Sequence, residues 1–270
     1  MKQPKPMADV PGHRLAGLSV VLTDIDDTMS TGGKITAEAF SALWQLHEAG
    51  LKLVVVTGRP AGWCDHIARF WPVDAVIGEN GGFYFYHDGS TLQRRYIYSA
   101  AERDQFRKKL ADVRERILRE VPGCAISADQ PYREYDLAID ICEDIAPLPQ
   151  EKVLRIKELF ELAGATAKIS SVHVNGWYGQ FDKLSTAKLW AREQLGTELV
   201  EGGESFVYCG DSPNDEPMFA FFDLSFGMAN VRECLPIMSC PPAYITTKPC
   251  GAGFTEVAEA ILRARKGPAE

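Results

Sequence analysis

The stretch Val20-Val21-Leu22-Thr23-Asp24-Ile25-Asp26-Asp27-Thr28 constrains this chain more than any other, because an apolar run leads straight into carboxylates that a packed interior avoids. Residues 18–22 have the continuous apolar character of a buried parallel strand. Asp24 and Asp26 then emerge at its carboxyl end, the edge at which open α/β sheets bind ligands. Two carboxylates one residue apart suit a two-step displacement, in which one attacks as a nucleophile and the other protonates the leaving group. A magnesium ion would keep Asp24 ionised and offset its repulsion from an anionic phosphate, leaving Asp26 free to trade a proton. A solvated acidic turn is the alternative that this motif alone leaves open.

Other apolar runs end in the same way. Residues 51–56 form a β-branched run that stops at Thr57-Gly58-Arg59-Pro60, where a hydroxyl and the free amides of a following helix start can hold a phosphate. An N-cap with no ligand explains the same residues. Residues 205–209 end in Gly210-Asp211-Ser212-Pro213-Asn214-Asp215, a second acidic strand end. Thr36 caps a helix over 37–49 that closes at Gly50, and residues 75–78 give a third short strand before Glu79-Asn80-Gly81-Gly82.

At Phe83 the pattern changes. Residues 83–87 and 93–98 read as a β-hairpin, followed by an amphipathic helix carrying Phe106, Leu110, Val113 and Ile117, and a strand at 124–127. Alternation at Tyr135, Leu137, Ile139 and Ile141 precedes a helix over 149–163 and strands at 167–174 and 177–181. The expected organisation is a flexible tail at 1–14, a parallel α/β core from 15–82 and 181–270, and an inserted α/β cap at 83–180 whose connections act as hinges. Back in the core, a helix is expected over 184–195, short strands at 222–226 and 244–245, and a last helix over 255–264.

A formal net charge of −8 argues against a nucleic-acid surface, and no apolar run approaches the ~20 residues of a membrane span. The seven cysteines form no C-x-x-C pair, which suits reduced thiols and a cytoplasmic setting. The expected partner is a small phosphorylated molecule, and the expected state a monomer or homodimer.

Four strand ends thus carry, in order, Asp24-x-Asp26-x-Thr28, Thr57-Gly58-Arg59, Lys183 and Gly210-Asp211-x-x-Asn214-Asp215. That ordered set resembles the haloacid dehalogenase superfamily of phosphatases. The long insert, with Glu79-Asn80-Gly81 and Gly227-Met228-Ala229-Asn230, is similar to its type IIB branch, which includes Cof-like sugar phosphatases, sucrose-phosphatase and phosphomannomutase.

The resemblance implies a Rossmann-like core with an inserted cap, and a magnesium-dependent phosphatase acting on a small phosphorylated metabolite, a sugar phosphate above all. It implies that Asp24 forms an aspartyl-phosphate and that Asp26 is the general acid and then the base. Asp24, the backbone carbonyl of Asp26, and Asp211 would hold Mg2+, with Asp215 in the same acidic set. Thr57 and Lys183 would hold phosphoryl oxygens; Gly58, Asn214 and Asn230 complete the core side of the substrate site. Lys188 competes with Lys183 for its role.

Arg59 has two readings, a substrate contact or a partner of a surface acid. His173 and Asn175 share one face of a cap strand and either read substrate hydroxyls or face solvent, and Arg133, Asp136 and Asp140 share that ambiguity. A phosphohexomutase, prompted by the Asp182-Lys183 context, and a non-catalytic sugar-phosphate sensor are the alternatives to a phosphatase.

Overall fold

The computed structural model describes residues 3–266. A nine-stranded sheet forms the core, in the order Lys5–Pro6, Tyr244–Ile245, Ser225–Gly227, Phe206–Gly210, Val20–Thr23, Lys52–Val56, Ala75–Gly78, Phe83–His87 and Leu92–Tyr96. The first seven strands are parallel and the last two antiparallel. Both faces are covered, which is why the central strands are apolar at successive positions. Val21, Leu53 and Val207 pack under the helices Ala37–Glu48 and Cys250–Lys266, while Val20, Leu22 and Val54 pack on the opposite side with Trp190 and Met218.

A second sheet, wholly antiparallel, runs Thr166–Ile169, His173–Trp177, Leu137–Asp140, Ala125–Ile126. The helices Ala100–Glu120 and Gln150–Leu162 cover one face through Leu110, Ile117, Ile156 and Phe160, which meet Ile139 and Val174. The long helix starts at a reciprocal cap, Ser99 with Glu102. The period-two geometry of strands sends His173, Asn175 and Trp177 to the other face, toward the carboxyl edge of the core sheet. This is an α/β core with an inserted α/β cap, as the sequence pattern implied.

The structure corrects several expectations. The hairpin Phe83–His87 and Leu92–Tyr96 extends the core sheet instead of opening the cap. Left-handed backbone at Asn80 (φ 55°) and at Gly81 (φ 111°) reverses the chain, so Phe83 pairs back on Gly78. Alternation reveals a strand but not its partner. Residues 1–14 do not form a loose tail where they are described: Lys5 donates to Ala243 O (2.9 Å), and Met7 is buried beside Leu15 and Leu18. The paired cap strands are shifted from 167–174 and 177–181, with residues 170–172 forming the turn between them. The last helix starts at Cys250, five residues early.

Candidate active site

Asp24 lies just beyond Val20–Thr23, and its amide donates to Cys209 O (2.9 Å), so two central strands hold it between them. Its Oδ1 accepts from the Ile25 amide (2.7 Å) and its Oδ2 from Lys183 Nζ (2.8 Å). Lys183 opens the helix Lys183–Trp190, whose start is fixed by Asp182 accepting from the Ser185 amide (2.6 Å). That helix approaches Gly81 so closely that a Cβ there would lie 2.1 Å from Asp182 O, so only glycine fits. Lys183 is 1% exposed and donates also to Asp215 Oδ1 (2.6 Å).

Asp215 is fully committed. Its Oδ1 takes Lys183 and the Tyr208 hydroxyl, and its Oδ2 accepts from the amides of Asp211 (2.9 Å) and Ser212 (3.2 Å). Asp211 has fewer partners: Thr28 Oγ1 donates to Oδ1 (2.9 Å), and Asn230 Nδ2 stands 3.5 Å from Oδ2. Burial, with the charges of Asp215 and Asp24, pushes the pKa of Asp211 well up. Burial likewise raises Asp24 to about 7 against the pull of Lys183. Burial opposes a charge on Lys183, but Asp215 and Asp24 outweigh it and push its pKa up.

Oxygens of Asp24, Asp211 and Asp215 all lie within 4.8 Å of one another. Fully ionised, three carboxylates against one ammonium would carry a charge of −2, and the upward shifts of Asp24 and Asp211 reflect that crowding, which a hard divalent cation with oxygen ligands would relieve. Millimolar Mg2+ is therefore expected to raise the thermal unfolding midpoint without substrate, the stability gained being ~2.7 kcal/mol at a hundredfold its Kd. Asp211→Asn should remove that shift, and an equal shift in this variant would place the cation elsewhere.

Asp26 is held by Arg59, whose Nε and Nη2 contact its two oxygens (2.8 and 2.7 Å). The same guanidinium reaches the cap: Nη2 donates to Glu143 Oε1 (2.7 Å), and Nη1 lies 3.6 Å from Asp129 Oδ2. Arg59 is thus neither paired with a surface acid nor free for substrate, since its side chain is 4% exposed and bridges core to cap. Glu143 Oε2 lies 2.9 Å from His173 Nε2, out of line for a hydrogen bond, and His173 with Arg59 holds the Glu143 carboxyl down at about 2. No sequence signal singled out Glu143, because Cys142-Glu143-Asp144 reads as a solvated turn. Asp140 makes it a structured one, accepting from the amides of residues 142, 143 and 144 (2.9, 2.7 and 2.9 Å).

Between core and cap lies a closed crevice of about 10 Å³, room for about one water molecule. Asp24, Asp26, Gly58, Arg59, Asn214 and Ser212 line it from the core, and Ser170, Ser171, His173 and Asn175 from the cap. His173 and Asn175 are therefore buried and face the site, so the solvent-facing alternative is excluded. Asn175 Nδ2 donates to Asp136 Oδ2 (2.7 Å). Arg133 and Asp136 pair with each other (3.0 Å) under the crevice, so neither a solvent-facing nor a hydroxyl-reading role describes them.

Thr57 is fully buried, and its Oγ1 accepts from the Arg59 amide (3.1 Å). Asn230 does not line the crevice; it bridges Asp27 O (3.0 Å), Asp211 and the Cys250 amide (2.9 Å) behind the acidic cluster. Lys188 lies outside, 4.2 Å over the Phe221 ring.

Comparison with known proteins agrees with this arrangement. Residues 21–118 match the family model described as haloacid dehalogenase-like hydrolase. The chain is 27% identical over 246 residues to a phosphoglycolate phosphatase of Pyrobaculum aerophilum, covering 90% of this chain and 95% of the relative. Among solved structures, a Thermoplasma acidophilum protein superposes with a TM-score of 0.67 at 17% identity, over 91% of this chain and 98% of its own. A subclass IIB sugar phosphatase superposes with a TM-score of 0.60 at 16% identity, over 89% and 98%. No helix among the described residues is long and apolar enough to cross a membrane. The chain is thus similar over residues 21–118 to haloacid dehalogenase-like hydrolases and over most of its length to a phosphoglycolate phosphatase, and it shares the fold of a solved sugar phosphatase.

Proposed function

We propose that this protein hydrolyses a small phosphorylated sugar or sugar acid, with Mg2+ as cofactor and an aspartyl-phosphate at Asp24 as intermediate. The observation that carries this reading is the buried Asp24 carboxylate, held by one lysine and crowded by two further carboxylates. Asp24 and Asp211, with the Asp26 backbone carbonyl, would hold the cation. Asp215, its oxygens already used, instead supports Lys183 and the 211–212 loop. When bound, the cation would neutralise charge on the transferring phosphoryl group.

The chain's own residues account for the remaining steps. An Asp24 oxygen attacks phosphorus, the ester P–O bond breaks, and the leaving oxygen takes a proton from Asp26. Water then attacks the aspartyl-phosphate, giving its proton to Asp26 and releasing phosphate and the Asp24 carboxylate. Lys183, which already holds Asp24, and the Gly58 amide would take the phosphoryl oxygens, with Thr57 holding the Arg59 amide in the turn. Because both Asp26 oxygens are bound to Arg59 in the closed form, substrate entry must move the guanidinium aside before Asp26 can act as an acid.

The narrow crevice and the two serines, histidine and asparagine on its cap side favour a short, hydroxyl-rich or acidic body over a flat base. Phosphoglycolate, which the Pyrobaculum relative is named for, is a short acidic body of this kind, and it would enter once cap and core separate. Asp182, which prompted the mutase alternative, is accounted for as a helix cap.

The test is phosphate release over sugar phosphates, small phosphorylated hydroxy acids, nucleotides and phosphopeptides, with Mg2+ and with chelator. His173→Ala should raise KM for the preferred substrate about tenfold, the value of one lost hydrogen bond to a charged group. Preference for nucleotides or peptides over every sugar phosphate and hydroxy acid would refute the substrate assignment.

A further inference from the structure

Glu79 follows the strand Ala75–Gly78 in a left-handed conformation (φ 45°) that residues other than glycine avoid, and it is wholly buried. Its carboxylate collects amides from both lobes. Oε1 accepts from Ala61 (3.0 Å), at the start of the core helix Ala61–Phe70, and from Glu134 (2.9 Å) in the cap. Oε2 accepts from Glu134 (3.0 Å), Tyr135 (2.6 Å) and Asp136 (3.2 Å). An ionised carboxylate offers about four lone-pair sites, and here four amides use them. Burial, with the Asp136 charge, pushes the pKa of Glu79 up to about 8 against the pull of Arg133 and the amides, while the four N–H donors leave neither oxygen a place for a proton.

The same seam is tied a second time. Arg133, held by Asp129 (2.8 Å) and Asp136 (3.0 Å), donates to Gly58 O (2.9 Å). Asp136 in turn accepts from Asn175, which lines the crevice. Glu79 is therefore two contacts from the substrate face of the cap and, through Ala61, two residues from Arg59. At the next position, Asn80 accepts from Asn214 Nδ2 (3.2 Å), so this one turn also steadies the loop after Asp211.

We propose that Glu79 is a positioning residue, the pin that fixes the cap against the 57–59 loop and sets the height of the His173–Asn175 face above Asp24. Cap opening then pivots about this seam, while the far contact, Arg59 with Glu143, separates. A glutamine cannot replace the pin, because its NH2 would face amide N–H groups with no acceptor between them.

This inference rests on the phosphatase reading only for its kinetic arm. In Glu79→Gln, hydrogen exchange of the amides at 134–136 should accelerate about tenfold or more, as expected for a lost charge-assisted hydrogen bond, with Val20–Thr23 and Phe206–Gly210 unchanged. KM for the preferred substrate should rise about tenfold, while inhibition by inorganic phosphate, which touches only the core, stays within about twofold. Should this variant fail to fold, Glu79→Asp, which keeps the charge, carries the same measurements with smaller shifts. Unchanged exchange at 134–136, or a rise shared by the core strands together with weaker phosphate binding, would overturn the proposal. If the wild-type protein releases phosphate from no substrate, the proposed activity falls and the exchange measurement alone decides the role of Glu79.

Discussion

Asp24→Asn is expected to lose on the order of 10⁴-fold or more in phosphate release, while its fold becomes more stable in chelator. The gain follows from position. Asp24 is a nearly buried carboxylate beside Asp215 and Asp26, and its pKa stands at about 7, above the 3.8 of an ordinary aspartate. The sign is fixed by linkage: a raised native pKa adds stability at low pH, and that stability is lost as pH rises through about 7. The wild type should therefore melt lower at about pH 8 than at about pH 6, and the Asn variant should reduce the difference without abolishing it, because Glu79 and Asp211 are raised as well and keep their share. Asparagine keeps an oxygen for the Ile25 amide, while its NH2 faces Lys183 Nζ, which retains Asp215 as its acceptor. Melting curves at the two pH values with phosphate release decide the matter, and wild-type turnover in this variant would end the proposed mechanism.

Lys183→Met should be the most damaging single change to the fold. The substitution leaves Asp24 and Asp215 buried without their cation, and breaking a buried pair in this way costs about 3–5 kcal/mol. Lys183→Arg should rescue little, because a side chain 1% exposed has no room for a guanidinium. Lys188→Met is the control: its ammonium lies over the Phe221 ring, a contact worth about 1 kcal/mol, and turnover should stay near wild type. Chemical denaturation of the three variants gives the comparison. Equal losses at positions 183 and 188 would show that the Asp24–Lys183–Asp215 triad does not carry the stability assigned to it.

Three of the four expected strand ends were legible because Asp24, Thr57 and Asp211 each follow an apolar run that forms a parallel strand, whereas Lys183 opens a helix instead of ending a strand. Asp24 and Asp211 could be placed at one edge before any partner was known, since parallel strands put their carboxyl ends together. Pairing was less accessible. Nothing local in residues 83–96 says whether the hairpin joins the core or the cap; the reversal at Asn80–Gly81 decides it, by folding Phe83 back on Gly78. Arg59 could not be assigned from sequence, because its partners Asp26, Asp129 and Glu143 lie 33, 70 and 84 positions away. His173 and Asn175 were known to share a face, yet which way that face looked depended on Trp177 packing into the core with Phe83 and Phe181.

The large sheet has two ends, and each is finished in a way that discourages further strands from joining. At one end the two-residue strand Lys5–Pro6 covers Tyr244–Ile245, and a proline there has no amide to offer a newcomer. At the other, the outermost strand Leu92–Tyr96 carries Arg94 and Arg95, whose exposed charges resist being sandwiched against another backbone. The strand Lys5–Pro6 thus acts as a stopper on an otherwise apolar edge. A chain lacking this strand would present the backbone of Tyr244 and Ile245 as a template for self-association, although the strand lies outside the site.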